Sequence, residues 1–402
     1  MSFSPLHRLP INAARLDEVL GHVSARIAAG AARHDADGSF PHENFELLHQ
    51  HGLIAQVVPV AYGGGGASLV EARKIIAGIA AGDAATALVL TMTYLQHRAI
   101  GRADTRWPQA LRQQVFASAV QDGGLINSLR VEPELGSPAR GGLPATTATR
   151  VSDHWHLQGH KLYATGIPAL RWLSVWGRTD EAEPRVGVFL VPRPSVDTLG
   201  IRVIESWNHV GLRASGSHET VFENVAIPLE NAADIRLPSA WALHGASQVD
   251  VEANADQQAW MVVLLGSLYD AVARASYDWI RGFVCERAPR SLGSSLSTLP
   301  RVQETIGEIA ALLHTNAVLL DNAAARADAG RPDSVTNSGL LKFTVTGNAV
   351  RAVELALQLA GNHGLSRNNP LERHYRDVLC SRVHTPQNDS ILIAAGKAAL
   401  EV

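Results

Sequence analysis

Two changes of period divide the chain. Leu16, Val19, Leu20, Val23 and Ile27 recur at three- and four-residue spacing, the pattern of a helix that buries one face. Phe45, Leu47 and Leu48 supply a second apolar cluster, and an Ala/Leu/Val-rich stretch runs from Ala84 toward Ala99, so helices are predicted from Ala13 to about Val115. Between them, Val57-Val58-Pro59-Val60-Ala61-Tyr62 leads into Gly63 to Gly66. Four successive glycines break a helix and let backbone segments approach closely, so a loop joining two helices is expected.

At about Gly123 the period shortens to two. Trp155-His156-Leu157, Leu173-Ser174-Val175-Trp176, Val186 to Val191 and Thr220-Val221-Phe222 are short segments separated by Gly, Pro, Asp and Ser, which predicts a compact β region to about Pro228. Trp155, Trp172, Trp176 and Trp207 fall within it, as expected of a barrel or sandwich that fills its core with large side chains. After about Ala233 helical spacing returns. Met261, Leu264, Leu265, Leu268 and Val272 make one face, Ile306, Ile309, Leu312 and Leu313 another, and a third pattern runs from Ser338 to Ala360. Gly245 to Asp256 reads as a polar connector. The predicted fold is α+β and mainly α: an N-terminal helical domain over 1–121, a middle β-barrel or sandwich domain over 122–233, and a C-terminal four-helix bundle over 234–402.

Composition narrows the function classes. A length of 402 residues exceeds one ordinary core, in keeping with several packed units. Apolar residues make up 46% and the net charge is −3, which argues against disorder and gives no electrostatic reason to expect a nucleic-acid partner. Cys285 and Cys380 are far apart and lack metal-site spacing, so neither a disulfide framework nor a metal site is expected, and a reduced, cytoplasmic setting is the simplest reading. Met1 to Arg15 lacks the apolar core of a secretory signal and reads as a native start. The longest apolar run, Trp260 to Leu268, is too short for a membrane span.

Five segments, in order, carry a resemblance. They are Val58-Pro59 through Tyr62-Gly63-Gly64; Val131-Glu132-Pro133-Glu134-Leu135-Gly136-Ser137; Lys161-Leu162-Tyr163-Ala164-Thr165-Gly166; Gly211-Leu212-Arg213-Ala214-Ser215 with Val221 to Pro228; and Leu357 to Gly364 followed by Pro370 to Arg373 and Arg376-Asp377. Together they resemble the acyl-CoA dehydrogenase superfamily across nearly the whole chain. The resemblance implies a flavin, FAD or alternatively FMN, between the β domain and the bundle, an acyl-CoA or other small-molecule substrate, a reductase or electron-transfer protein as partner, and a homotetramer. By that resemblance Leu129, Val131, Gly136, Ser137, Tyr163, Ala164 and Thr165 occupy flavin-contact positions, with Thr165 the candidate hydroxyl beside the reactive N5. Gln358 and Gly361 from a neighbouring subunit, with Arg287 or Arg290, are implied to hold the diphosphate side. The family's second Gly is here Asn362, and its Phe is here Leu292.

A dehydrogenase of this family removes a weakly acidic proton and needs a positioned carboxylate base. Thr385 stands where the usual Glu belongs, and the alternative position on the first bundle helix is Ala259, with Asp256 nearly a turn earlier. Arg382-Val383-His384-Thr385 instead resembles the flavin monooxygenases of the same superfamily, which take reduced flavin from a separate reductase and react it with oxygen. These need hydrogen-bond donors and no carboxylate, so His384, His97 and Thr385 itself become catalytic candidates. His97 has a second reading as a packed, hydrogen-bonded core histidine. The competing functional readings are an acyl-CoA dehydrogenase with Asp256 as a displaced base, and a non-catalytic scaffold. Asn127 and Ser128 could line the pocket. For Arg130, pairing with Glu132 or Glu134 is the simpler expectation, and binding an anion the other.

Overall fold

The structure is a computed structural model that describes residues 13–134, 142–194, 198–241 and 247–401. Five helices come first: α1 (Ala13–Asp37), α2 (His42–Gln50), α3 (Leu69–Gly82), α4 (Ala84–Gly101) and α5 (Gln109–Gln121). The predicted stripe holds, with Leu16, Leu20, Val23 and Ile27 buried along α1. The glycine run is a loop around a short 3-10 turn at Val60–Tyr62. Gly64 is obligatory there, because a Cβ would lie 2.2 Å from the Val58 carbonyl oxygen.

Eight strands follow as one sheet: β1 (Leu125–Leu129), β2 (Thr147–Val151), β3 (His154–Lys161), β4 (Leu170–Thr179), β5 (Val186–Pro192), β6 (Ile201–Ile204), β7 (Glu219–Pro228) and β8 (Ala232–Arg236). Their order is β6-β7-β3-β2-β4-β5-β8, with β1 beside β4. β1 and β2 run parallel to β4, and Leu129 lies opposite Val175. Trp155, Trp172 and Trp176 are buried as expected, but Trp207 is not a core residue. It lies outside the strands, half-buried, with its ring stacked on His209.

The bundle comprises α6 (Gln248–Glu286), α7 (Pro300–Asp328), α8 (Val335–Ala360) and α10 (Asn388–Leu400), with the short α9 (Leu371–Leu379) between the last two. The expected polar connector is corrected here: α6 begins at Gln248, capped by Ser247, whose hydroxyl accepts the Asp250 N–H at 3.2 Å. Its polar first turns are helical because Asp250 and Asp256 face arginines of other elements instead of solvent alone.

The N-terminal helices dock on this bundle through charge as well as packing. Asp328 at the end of α7 accepts the Leu69 and Val70 N–H groups at 2.8 and 3.0 Å, serving the otherwise unpaired first turn of α3. No helix among the described residues is long and apolar enough to cross a membrane.

Candidate active site

Three backbone segments meet edge to edge beside α9. Past the end of β1, the Val131 carbonyl accepts the Leu162 N–H at 2.9 Å. Past the end of β3, Ala164 donates to the His218 carbonyl and Gly166 to the Ser215 carbonyl, each at 2.9 Å. Tyr163 sits between them at φ +57°, a left-handed conformation that costs a side-chain-bearing residue about 1–3 kcal/mol. The twist turns its ring outward, 51% exposed, edge-on to Trp207 and His209.

Thr165 is nearly buried, and its hydroxyl shares a hydrogen bond with Ser217 at 2.9 Å, which in turn lies 2.8 Å from Ser215. The Asn127 amide donates to the Thr165 carbonyl at 3.0 Å, so the residue is held through both its backbone and its side chain. Leu129 and Ala164 are buried beneath, and Val131 is half-buried. Gly136 and Ser137 lie outside the described residues.

A buried ion pair locks two of these segments together. Glu132 accepts from Lys161 Nζ at 2.6 Å, from the Thr146 hydroxyl at 2.6 Å, and from the Ala145 and Thr146 N–H groups. Lys161 also donates to the Trp176 carbonyl. Burial pulls the lysine down to about 8, whereas its bonds keep Glu132 below the usual carboxylate range. Pairing of Glu132 with Arg130, one of the sequence expectations, is therefore overturned: the carboxylate is fully engaged elsewhere.

The facing wall comes from the bundle. The Leu212 N–H donates to Asp377 at 2.6 Å, and Arg376 reaches both Asp35 and the Val210 carbonyl. His384 Nδ1 lies 2.7 Å from the hydroxyl of Tyr269, on α6. The buried Lys342 ammonium donates to the His384 and Pro386 carbonyls, both at 2.8 Å, and so fixes the segment that carries the imidazole. Burial, helped by Lys342, lowers His384 to about 4, so its ring is neutral at physiological pH. Its Nε2 has no hydrogen-bond partner among the described residues.

Asp377 makes a pH prediction possible. Burial raises its carboxyl to about 7 from the ordinary 3.8. Between those values the folded chain holds a proton that the unfolded chain releases, so stability falls as pH rises through that window. Asp377→Asn keeps an acceptor for Leu212. Thermal unfolding from pH 5 to 8 is expected to show a shallower decline in the variant than in the parent.

The other predicted residues make no hydrogen bond or ring contact with these segments among the described residues. His97 is fully buried on α4 with its ring 5.9 Å from Phe116, and neither ring nitrogen has a partner among the described residues. It is packed as a core histidine but is not hydrogen-bonded, and burial drives it to about 3. Thr385 is exposed, and Ala259 is buried. Asp256 is held by Arg98 through two bonds of 2.7 and 2.9 Å and by Arg102 at 3.1 Å.

Arg287, Arg290, Gln358 and Gly361 are all exposed, and a ring contact of 5.4 Å between Phe283 and His363 gathers their segments at one end of the bundle. At 1.5 Å per residue, Arg287 lies about 27 Å along α6 from Tyr269, beyond side-chain reach of the seam in the same subunit.

Sequence reasoning missed Tyr269, Lys342, Ser217 and Trp207. Only Trp207 had a local signal, an aromatic beside Asn208-His209 rather than in an alternating strand. No cluster of three or more His, Cys, Asp or Glu among the described residues is placed to hold a metal.

Comparison with known proteins agrees with this architecture. The family described as "Acyl-CoA dehydrogenase, N-terminal domain" matches residues 13–103, and "Acyl-CoA dehydrogenase, C-terminal domain" matches residues 271–385. YdbM of Bacillus subtilis (strain 168), which carries the name of an acyl-CoA dehydrogenase, is 29% identical over 392 residues, covering 96% of each chain. L-evernosamine nitrososynthase of a Micromonospora strain is 29% identical over 401 residues, covering 95% of this chain and 89% of its own. KijD3 in complex with FMN and dTDP-3-amino-2,3,6-trideoxy-4-keto-3-methyl-D-glucose superposes with a TM-score of 0.80 at 25% identity, covering 100% of this chain and 97% of that one.

Proposed function

The chain belongs to the acyl-CoA dehydrogenase superfamily of flavin-dependent oxidoreductases, and from that premise we propose that it oxidises a small molecule with oxygen, using reduced flavin supplied by a separate reductase. The carrying observation is that neither position implied by the resemblance, nor the nearby Asp256, supplies a free carboxylate. Removal of a proton next to a thioester requires a positioned carboxylate. Here Thr385 and Ala259 occupy the two positions implied by the family resemblance, and Asp256 is immobilised between two arginines. What the bundle offers instead is a neutral imidazole, His384, with one ring nitrogen unpartnered among the described residues, and in this reading it faces the flavin. The likeness to the nitrososynthase and to KijD3 supports the same reading.

The residues fit a flavin, FAD or FMN. Tyr163, Val210 and Val383 present exposed aromatic and apolar surface on the segments that meet at the seam, and Thr165 supplies a fixed hydroxyl. When bound, the flavin supplies the redox centre. In this reading the middle domain, 122–233, holds the ring through the segments at Leu129, Val131 and Tyr163 to Thr165. The bundle, 234–402, contributes His384, with His97 of the N-terminal domain, 1–121, as a second neutral imidazole. Arg287 or Arg290, with Gln358 and Gly361, serves the neighbouring subunit's cofactor in a homotetramer. Exposed Leu392, Ile393 and Leu400 on α10 give such an assembly apolar surface to bury.

The test is the redox response of the bound flavin. Anaerobic addition of acyl-CoA thioesters is expected to leave it oxidised, and reduced flavin on the protein is expected to be reoxidised by oxygen. Bleaching by an acyl-CoA would favour the dehydrogenase reading. A colourless protein that takes up neither FAD nor FMN would favour a scaffold. His384→Phe is expected to slow substrate oxidation about a hundredfold or more with flavin binding retained, read as substrate-dependent oxygen uptake.

A further inference from the structure

The wall beyond β1 is lined with arginines, and their pairing is uneven. Arg98 and Arg102 share Asp256, and Arg102 also holds Asp104. Arg106 and Arg236 share Asp250, and Arg236 also holds Asp234. Arg130 has no acidic partner among the described residues. Its neighbour Glu132 is taken by Lys161 and Thr146, Glu134 makes no ion pair with it, and residues 135–141 contain no Asp or Glu.

The Arg130 guanidinium lies instead over the ring of Trp176 at 4.2 Å. Trp176 is buttressed edge-on by Trp241 at 4.6 Å, and Trp241 is covered by Arg236 at 3.8 Å. Stacking uses the flat face of a guanidinium and leaves its N–H donors free in the ring plane. The platform therefore fixes the cation without consuming its hydrogen-bonding capacity. Arg130 is exposed to solvent, yet enough protein surrounds it that burial draws it down to about 10, still charged at neutral pH.

Position along the chain decides which way these groups face. Side chains alternate along a strand. Asn127 turns to the Thr165 carbonyl, so Ser128 belongs to the other face of β1, and Arg130, one residue past its end, sits over Trp176. The Ser128 hydroxyl also makes no hydrogen bond with a described residue.

We propose that Arg130, stacked on Trp176 and flanked by Ser128, is an oxyanion-binding site that receives the carboxylate or phosphate group of the substrate. Naming the anion as substrate rests on the flavin reading of the adjacent seam; the anion site itself does not.

The test is calorimetric titration of the full chain, with and without FMN, using inorganic pyrophosphate and benzoate as probes. Saturable binding of at least one probe is expected with FMN already present. Arg130→Gln should weaken that binding about tenfold or more and change FMN affinity by less than about twofold, with Arg130→Lys intermediate. Absence of binding in the parent, or equal binding in R130Q, would overturn the site. Loss of FMN affinity in R130Q, with the probe competing against FMN, would reassign Arg130 to the flavin phosphate and overturn the substrate role. If the chain takes up no flavin but still binds a probe through Arg130, the flavin reading fails while the anion site stands.

Discussion

Glu132→Ala is expected to cost about 3–5 kcal/mol of stability, the range for leaving one member of a buried ion pair unpartnered. Lys161 would be stranded with a buried charge, and the Ala145 and Thr146 N–H groups would lose their acceptor. Urea unfolding of the isolated variant measures the loss. Flavin retention should fall with it, because Val131, adjacent to Glu132, carries the carbonyl that anchors Leu162 and hence Tyr163 to Thr165. Replacing both partners with apolar residues, Glu132→Leu with Lys161→Met, should recover most of the stability, since the penalty comes from the orphaned charge. Equal losses in the single and double variants would contradict this account.

Gly211→Ala is the second large effect. A Cβ at Gly211 would lie 2.2 Å from the Arg376 carbonyl oxygen and 2.9 Å from the Asp377 Cα. Both obstacles are backbone of α9, so no side chain can rotate away. The turn must lift off the bundle and stretch the bond from Leu212 to Asp377. Overpacking of this kind costs about 3 kcal/mol at the upper end of its usual range. The expected signature is a protein with normal helical circular dichroism that loses flavin on gel filtration. Retained flavin and a midpoint unchanged from the parent would show that the contact yields more easily than its geometry implies.

The sequence makes the architecture legible where burial follows a simple period. Leu16 to Ile27 and Met261 to Val272 announce helices because one face of each meets a core. The start of α6 was hidden for the opposite reason. Asp250 and Asp256 look like connector residues until Arg98, Arg106 and Arg236 are seen opposite them, although Ser247 followed by Asp250 is a helix-start signal that a stricter reading would use.

The candidate site divides in the same way. Tyr163, Thr165 and Glu132 sit in ordered motifs and were legible as such. Tyr269 was not, because its hydroxyl finds His384 across 115 positions of sequence and its ring belongs to an ordinary apolar face. Arg130 is legible as an unusual charge at the end of a strand, but its partner is not. A carboxylate two residues away is the natural guess, and only the Lys161 contact, 29 positions on, removes it.

One helix sets the tolerances of the whole site. α6 is 39 residues, about 58 Å of continuous rod, and it carries Asp250 at the arginine wall, Tyr269 behind His384, and Arg287 at its far end. Tilting such a rod by one degree about its first turn displaces its last turn by about 1 Å, a third of a hydrogen bond's length. A substitution at the Asp250 cluster therefore has leverage on the exposed arginines at the opposite end, and the alignment of the two ends is only as good as the straightness of the shaft that joins them.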